Sequence, residues 1–467
     1  MIEVVPVAHG IVGRSDLPIP EWLFGWAAAV VLVVSFVALA VLWPQPKLAR
    51  ASFRPLPRLS RVVLSRPVDL LCGLIGVLLL AVVVYSGLEG SQTATANFAP
   101  TFVYVIFWLG LVGLSVLLGD VFRAFNPWRA LGRTVSWIAR TAARAPMPAP
   151  LSYPERLGHW PAAAGIFLFA VLELAVSDGD APRTVAIAAL VYSAIQFAGM
   201  ALYGVEEWTE RGDGFGVYFG LFARISPWAV RDGVLGVRPP LAGLADFKPL
   251  GGTVALLAVM IGSVTFDGAA EAPLWTGIAP DISDFFQTLG LSPERALEIT
   301  FLVGLVAAIA IVLGFYMLGV RGAQSVGGGF GTGDLSRAFV ASLVPIAFAY
   351  VAAHYFTLLL YQGQAILTLA ANPFGYLASN PLGEAGTDIF GTADRSIDYG
   401  VIGATSAWYW MVGFVVLGHV AALTLAHDKA LTIYSDVKLA VRSQYWMLAV
   451  MVGFTSLALW LLSQANQ

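Results

Sequence analysis

Four ionisable side chains lie within stretches that are otherwise apolar: Glu173, Asp267, His354 and His419. Gln196, Gln362 and Gln364 add hydrogen-bonding groups in similar surroundings. An ionisable group in hydrocarbon is costly and as a rule faces an interior cavity or a partner, so these seven are the first place to look for chemistry. A cavity holding carboxylates and an imidazole can bind a cation, relay protons, or hold a metal with a water for hydrolysis. Glu173, Asp267 and His354 are therefore the candidate catalytic groups, and with Gln196, Gln362 and Gln364 they are candidates for a solute or ion pathway. His354 and His419 are the candidate metal ligands, for a possible divalent cation or a haem. Each has a plainer use: Glu173 in an interhelical hydrogen bond, Asp267 as a cap at the membrane interface, His354 as a packing histidine.

Local metal or nucleotide signatures are missing. His419 and His427 are eight apart on one helix, about 12 Å along its axis, too far to chelate one ion. His427, Asp428 and Lys429 read most simply as an interfacial cluster. The chain has no HExxH motif, G-x-S-x-G elbow or Walker motif. The Gly-rich link GGGFGTGDLSR at 327–337 lacks the Gly-Lys-Ser/Thr ending of a phosphate cradle, and is expected to be a turn with Asp334 or Ser336 capping the next helix. The single cysteine, Cys72, excludes disulfides and cysteine-based metal sites.

The elements that must position these residues are membrane spans. Of 467 residues 58% are hydrophobic and only 12% charged, and the mean hydropathy is +0.78; an ordinary soluble domain carries about 25% charged residues. Stretches of about 20 apolar residues suffice to cross a bilayer. They are expected at 21–43, 68–87, 98–119, 160–177, 182–203, 250–267, 299–320, 337–362, 400–427 and 444–463. None alternates like a barrel strand, so the fold class is all-α, a polytopic membrane protein of about ten helices forming a single domain.

Loops rich and poor in Arg/Lys alternate along the chain. Arg50, Arg54, Arg58 and Arg61 follow the first span, and Arg123, Arg129, Arg133 and Arg140 the third. The positive-inside rule puts these loops in the cytoplasm and both termini outside. The first 20 residues lack the pattern of a cleavable signal peptide, so the first span is expected to do the targeting, to a bacterial plasma membrane. The net charge of −3 sums a basic inner face and an acidic outer one, and the latter attracts cations. In this topology Glu173, Asp267, His354 and Gln362 share the outer half of the membrane and can line one outward-opening cavity.

Two passages resemble each other at an offset of 100 residues: VFRAFNPW at 121–128 and LFARISPW at 221–228. Each pairs an arginine (Arg123, Arg224) with a polar-Pro-Trp turn (Asn126, Pro127, Trp128; Ser226, Pro227, Trp228). The expected form is an interfacial segment, ended by its proline, with the tryptophan at headgroup depth; duplication and a shared interfacial solution are alternative origins. Segments 120–159 and 204–249 are assigned to the cytoplasmic interface. Within the latter, Glu206, Glu207, Glu210 and Asp213 precede a Gly-aromatic run, expected as a surface amphipathic helix, with a re-entrant segment as the alternative. The outer loop 363–399, punctuated by Asn372-Pro373 and Asn380-Pro381, is long enough to cover a cavity.

Four passages carry a family resemblance: AHGIVGRSDLPIPEWLF, GFGVYFGLFARISPW, NPLGEAGTDIFGTAD and VVLGHVAALTLAHDKAL. Over nearly its whole length the chain resembles the multi-pass membrane proteins of actinobacteria and related bacteria labelled fenitrothion hydrolase. The resemblance implies hydrolysis of an aryl phosphorothioate triester at a membrane site, and supplies no residue-by-residue catalytic set. Beside it stand two other readings: a transporter or channel moving a small solute or cation, suited to a Gly-rich bundle with few buried charges, and a metal- or haem-binding membrane subunit. The expected partners are the lipid bilayer, a small-molecule solute or substrate, and a second copy or membrane-complex subunit; nucleic acid is not expected.

Overall fold

A computed structural model describes residues 21–142, 149–374 and 388–464. His9, Arg144 and the Asn380-Pro381 turn lie outside them. The described chain is an all-α polytopic bundle. Its principal helices are α1 (Glu21–Leu42), α2 (Arg66–Glu89), α3 (Phe98–Leu118), α4 (Pro127–Ala142), α5 (Trp160–Leu174), α6 (Pro182–Tyr203), α7 (Val205–Arg211), α8 (Gly214–Ala223), α9 (Thr253–Ala270), α10 (Pro293–Ser325), α11 (Thr332–His354), α12 (Phe356–Ala371), α13 (Ala404–Ile433) and α14 (Tyr445–Gln464). Eight of these, α1, α2, α3, α6, α9, α10, α11 and α13, are long and apolar enough to cross a bilayer. The stretch expected at 160–177 forms the 15-residue α5, and that at 444–463 forms α14.

Burial sorts the helices into centre and rim. The most apolar stretches of α9 and α11 are 72% buried, against 17% for α1 and α2. α9, TVALLAVMIGSVTFDGAA, is apolar on every face, as a helix surrounded by protein must be. It packs on α5, α10 and α11, while α11 packs on α13. A Cβ at Gly418 of α13 would stand 2.3 Å from the Ala349 Cβ of α11, so only glycine permits that approach.

Long-range contacts group the loops into two faces. On one, Arg54–Pro55 (β1) joins Trp228–Arg231 (β2) and Val234–Val237 (β3) in a small antiparallel sheet of order β1-β3-β2. Its hairpin turns at Asp232-Gly233, both at positive φ (52° and 75°), which Asp-Gly adopts readily. The same face holds an ion-pair network in which Arg123 reaches Glu206 and Glu210, and Arg129 and Arg133 reach Asp69. On the opposite face Ser177 bonds Glu294 and Glu298, and the Tyr104 hydroxyl donates to the Gly179 carbonyl. The basic loops thus meet one another.

Three local expectations are corrected. Pro127 opens a helix: Asn126 caps α4, its Oδ1 accepting from the Arg129 N–H, with proline in the first helical position, where a missing N–H costs nothing. In the matching passage Trp228 begins a strand, so the two passages share residues without sharing secondary structure. Trp128 does not face lipid headgroups; it is buried in protein, its Nε1 donating to the Ser193 Oγ at 2.8 Å. In the acid-rich passage α7 keeps Glu206, Glu207 and Glu210 partly exposed, but Phe215, Tyr218, Phe219 and Phe222 of α8 are all buried. Its aromatic rings need a protein lining, which α3 and α5 supply.

Candidate functional site

Asp267, in the last turn of α9, is buried. His354 Nε2 lies 2.9 Å from its Oδ2, and the Tyr355 hydroxyl donates to the same oxygen at 2.7 Å. Two consecutive residues reach one carboxylate because α11 stops at His354: Tyr355, at φ −97° and ψ 12°, breaks the helix before α12 departs to pack against α3. One turn beyond Asp267, Glu271 is half-buried; burial and the Asp267 charge, partly offset by His354, push its carboxyl up to about 7. An acid, an imidazole, a phenol and a second acid thus meet at one end of the central helix, at the face opposite the basic loops.

Glu173, on the last turn of α5, belongs to the same electrostatic cluster, within range of Asp267, Tyr104, Tyr218 and Tyr355. Among the described residues no cation pairs with it. The wall beneath it is aromatic: the Trp108 ring stacks on Tyr218 with centroids 4.4 Å apart, and packs against Phe169 at 4.6 Å. Trp108 Nε1 and the Tyr218 hydroxyl are buried with no hydrogen-bond partner. Between Thr101 and Gly110 α3 is wound as a π-helix, a form that concentrates at functional sites.

The remaining candidates are dispersed. The Gln196 Oε1 accepts from Trp208 Nε1 at 2.8 Å, beside α7. Gln364 clamps the loop that follows α12, its amide bonding both the carbonyl and the N–H of Asp398. Gln362 is half-buried on α12. His419 is fully buried against Tyr350, one turn from His354 along α11; its Nδ1 faces the Val415 carbonyl at 2.8 Å, and its Nε2 has no partner. Arg224 lies over the Phe247 ring, and the buried Ser226 hydroxyl accepts from the Trp228 N–H.

Several participants carry weak sequence signals. Tyr355 is marked only by its place beside His354. Asp213 is fully buried, its carboxylate accepting from Tyr192 at 2.6 Å and Asn126 at 2.8 Å; burial pushes its carboxyl up. Asp428 is no surface residue of an interfacial cluster. It is buried, and its two oxygens accept from Trp43 Nε1 and from the backbone N–H groups of Lys47, Leu48 and Ala49. Acids beside glycine or lysine read as solvated, and only the fold turns these inward.

A divalent metal or haem finds no prepared seat here. Among the described residues no group of three His, Cys, Asp or Glu gathers as a ligand set, and His419 is enclosed by packed side chains. The donors present do not fit such a group, and no step is routed through one. No family model, no curated protein and no solved structure matches the chain. Function therefore rests on the geometry of the Asp267 cluster.

Proposed function

We propose that the chain is a membrane transporter that moves protons or a small cation across the bilayer, with Asp267 and His354 as its proton-handling pair in a cavity opening outward. The observation that carries this reading is the Asp267 oxygen shared by His354 and Tyr355 at a break between two helices. An imidazole can take up and release a proton, and that proton strengthens its bond to a carboxylate. A helix break lets such a change alter backbone geometry, and interrupted helices mark binding sites in transporters. Glu271, poised near neutrality one turn beyond, is a suitable proton entry.

The test is proton flux in liposomes loaded with a pH-sensitive dye and subjected to a pH step, with potassium or sodium as counter-ion. The reconstituted chain is expected to dissipate the gradient faster than protein-free liposomes, and Asp267→Asn and His354→Gln to return the rate to the protein-free value. A folded wild-type chain no faster than empty liposomes with either counter-ion overturns the reading.

One observation favours a second reading. A carboxylate bonded to an imidazole is also the arrangement that orients a general base toward water, as the hydrolase resemblance requires. Nitrophenolate release from an aryl phosphorothioate by the solubilised chain, lost in His354→Gln, would identify it; no release removes it.

A further inference from the structure

We propose that Glu173, with Tyr218 and Trp108, seats a small organic cation, a protonated amine. The inference deepens the transport reading by naming the class of cargo, and rests on it to that extent.

The site is built from two helices whose side chains fall in matched rows. On α5, Phe169 and Glu173 are four apart and share a face. On α3, Tyr104 and Trp108 are four apart within the π-helical stretch Thr101–Gly110, whose wider turn brings residues at that spacing into line. The rows meet: Tyr104 packs on Phe169 with centroids 5.7 Å apart, and Trp108 on Phe169 at 4.6 Å. Tyr218 of the buried α8 closes the floor, stacked on Trp108 at an interplanar angle of 12°.

Three features of this cluster ask for a ligand. The first is charge. Among the described residues Glu173 forms no salt bridge; it is partly buried on the face of α5 that carries Phe169, within electrostatic range of Asp267 and tyrosine hydroxyls, and a carboxylate in such surroundings favours a proton or a cation. The second is unmet hydrogen bonding. The Tyr218 hydroxyl and Trp108 Nε1 are buried polar groups without partners, although Tyr218 is completely enclosed and Trp108 is 2% exposed; such groups in native proteins are rare and call for an explanation.

The third is the lining, which decides between kinds of cation. A bare alkali or alkaline-earth ion needs several oxygens around it. Here the other tyrosine hydroxyls are already engaged, Tyr104 on the Gly179 carbonyl and Tyr355 on Asp267. Aromatic rings beside a carboxylate that has no cation of its own suit an ammonium group on a small organic body, held by the acid and by cation–π attraction. The hydroxyl and the indole N–H are left to meet a polar substituent or a bound water.

The experiment is calorimetric titration of the purified full chain in detergent with benzylamine hydrochloride, beside benzyl alcohol as the neutral match and sodium chloride as the inorganic cation. The expected result is binding of the amine alone. Glu173→Gln, which keeps the shape and removes the charge, is expected to weaken binding about ten-fold or more. Tyr218→Phe keeps the stacked ring and loses only the hydroxyl, and is expected to weaken it a few-fold. Matching thermal unfolding curves establish that each variant is folded, and if Glu173→Gln fails that check, Tyr218→Phe and the alcohol comparison carry the decision.

Equal affinity in folded Glu173→Gln overturns the inference, as do equal binding of the alcohol, sodium competing as strongly as the amine, or no amine binding to the folded wild type. Amine binding without proton flux leaves the site standing and removes the transport reading. Proton flux without amine binding does the reverse.

Discussion

Carboxylates at least partly buried occur at both faces of this protein, and they are treated differently. On the basic face every one described is saturated: Asp428 by an indole and three backbone N–H groups, Asp213 by a phenol and an amide. At the opposite face Asp267 likewise accepts from an imidazole and a phenol, whereas Glu173 forms no ion pair among the described residues. Hydrogen bonds to a charged group are worth about 1.5–3 kcal/mol each, so a saturated acid locks the segments that supply its donors. An unsaturated acid locks nothing, and it keeps its capacity for an external proton or cation. The same side chain is a fastener or a site according to how many donors the fold brings to it.

That contrast can be broken most sharply at Asp428. Asp428→Ala leaves four donors without an acceptor where the chain leaves α1, and is expected to cost about 4 kcal/mol, read as a lowered thermal unfolding midpoint in detergent. A loss below about 1 kcal/mol would place Asp428 with surface residues and dissolve the contrast.

A somewhat smaller effect is expected at His159, on the basic face. It is buried, its Nδ1 is 2.9 Å from the Thr253 hydroxyl, and burial, reinforced by Arg224 and Arg211, lowers its pKa to about 4. The unfolded chain, titrating at about 6.5, binds more protons between those values. The stability gained by keeping this histidine neutral is therefore full above about pH 6.5 and is lost as pH falls toward 4, in total about 3 kcal/mol. Unfolding midpoints of wild type and His159→Gln measured from pH 4 to 7 should converge at the acid end; a constant difference across the range contradicts the assignment.

The smallest effect belongs to Glu173. Because no partner is lost, Glu173→Gln is expected to leave stability within about 1 kcal/mol of wild type, or to raise it. Destabilisation approaching that of Asp428→Ala would show that Glu173 is a fastener after all, and thermal unfolding of the two variants side by side decides it.

Much of the architecture was legible beforehand. Apolar stretches of bilayer length appear as helices, and the alternation of arginine between loops anticipated which loops meet, since β1 from the first basic loop pairs with β3 from the third. The loop charges gave Asp267 and His354 an expected depth in common. Their contact was not legible: depth leaves open which way each helix turns, and 87 residues separate the pair. The proline of Asn126-Pro127-Trp128 was read as a stop because proline cannot continue a helix; it serves as a start because Asn126 supplies the cap.

By itself the sequence determined that this chain is a bundle of lipid-solvated helices with one basic and one acidic face, since composition and loop charge act through the bilayer whatever the partners of each residue. Tertiary structure alone decided that α8 is buried, that α11 breaks beside Asp267, and which acids are saturated. A hydrogen bond depends on direction over about 3 Å, and such directions are fixed only when helices far apart in the chain are packed together.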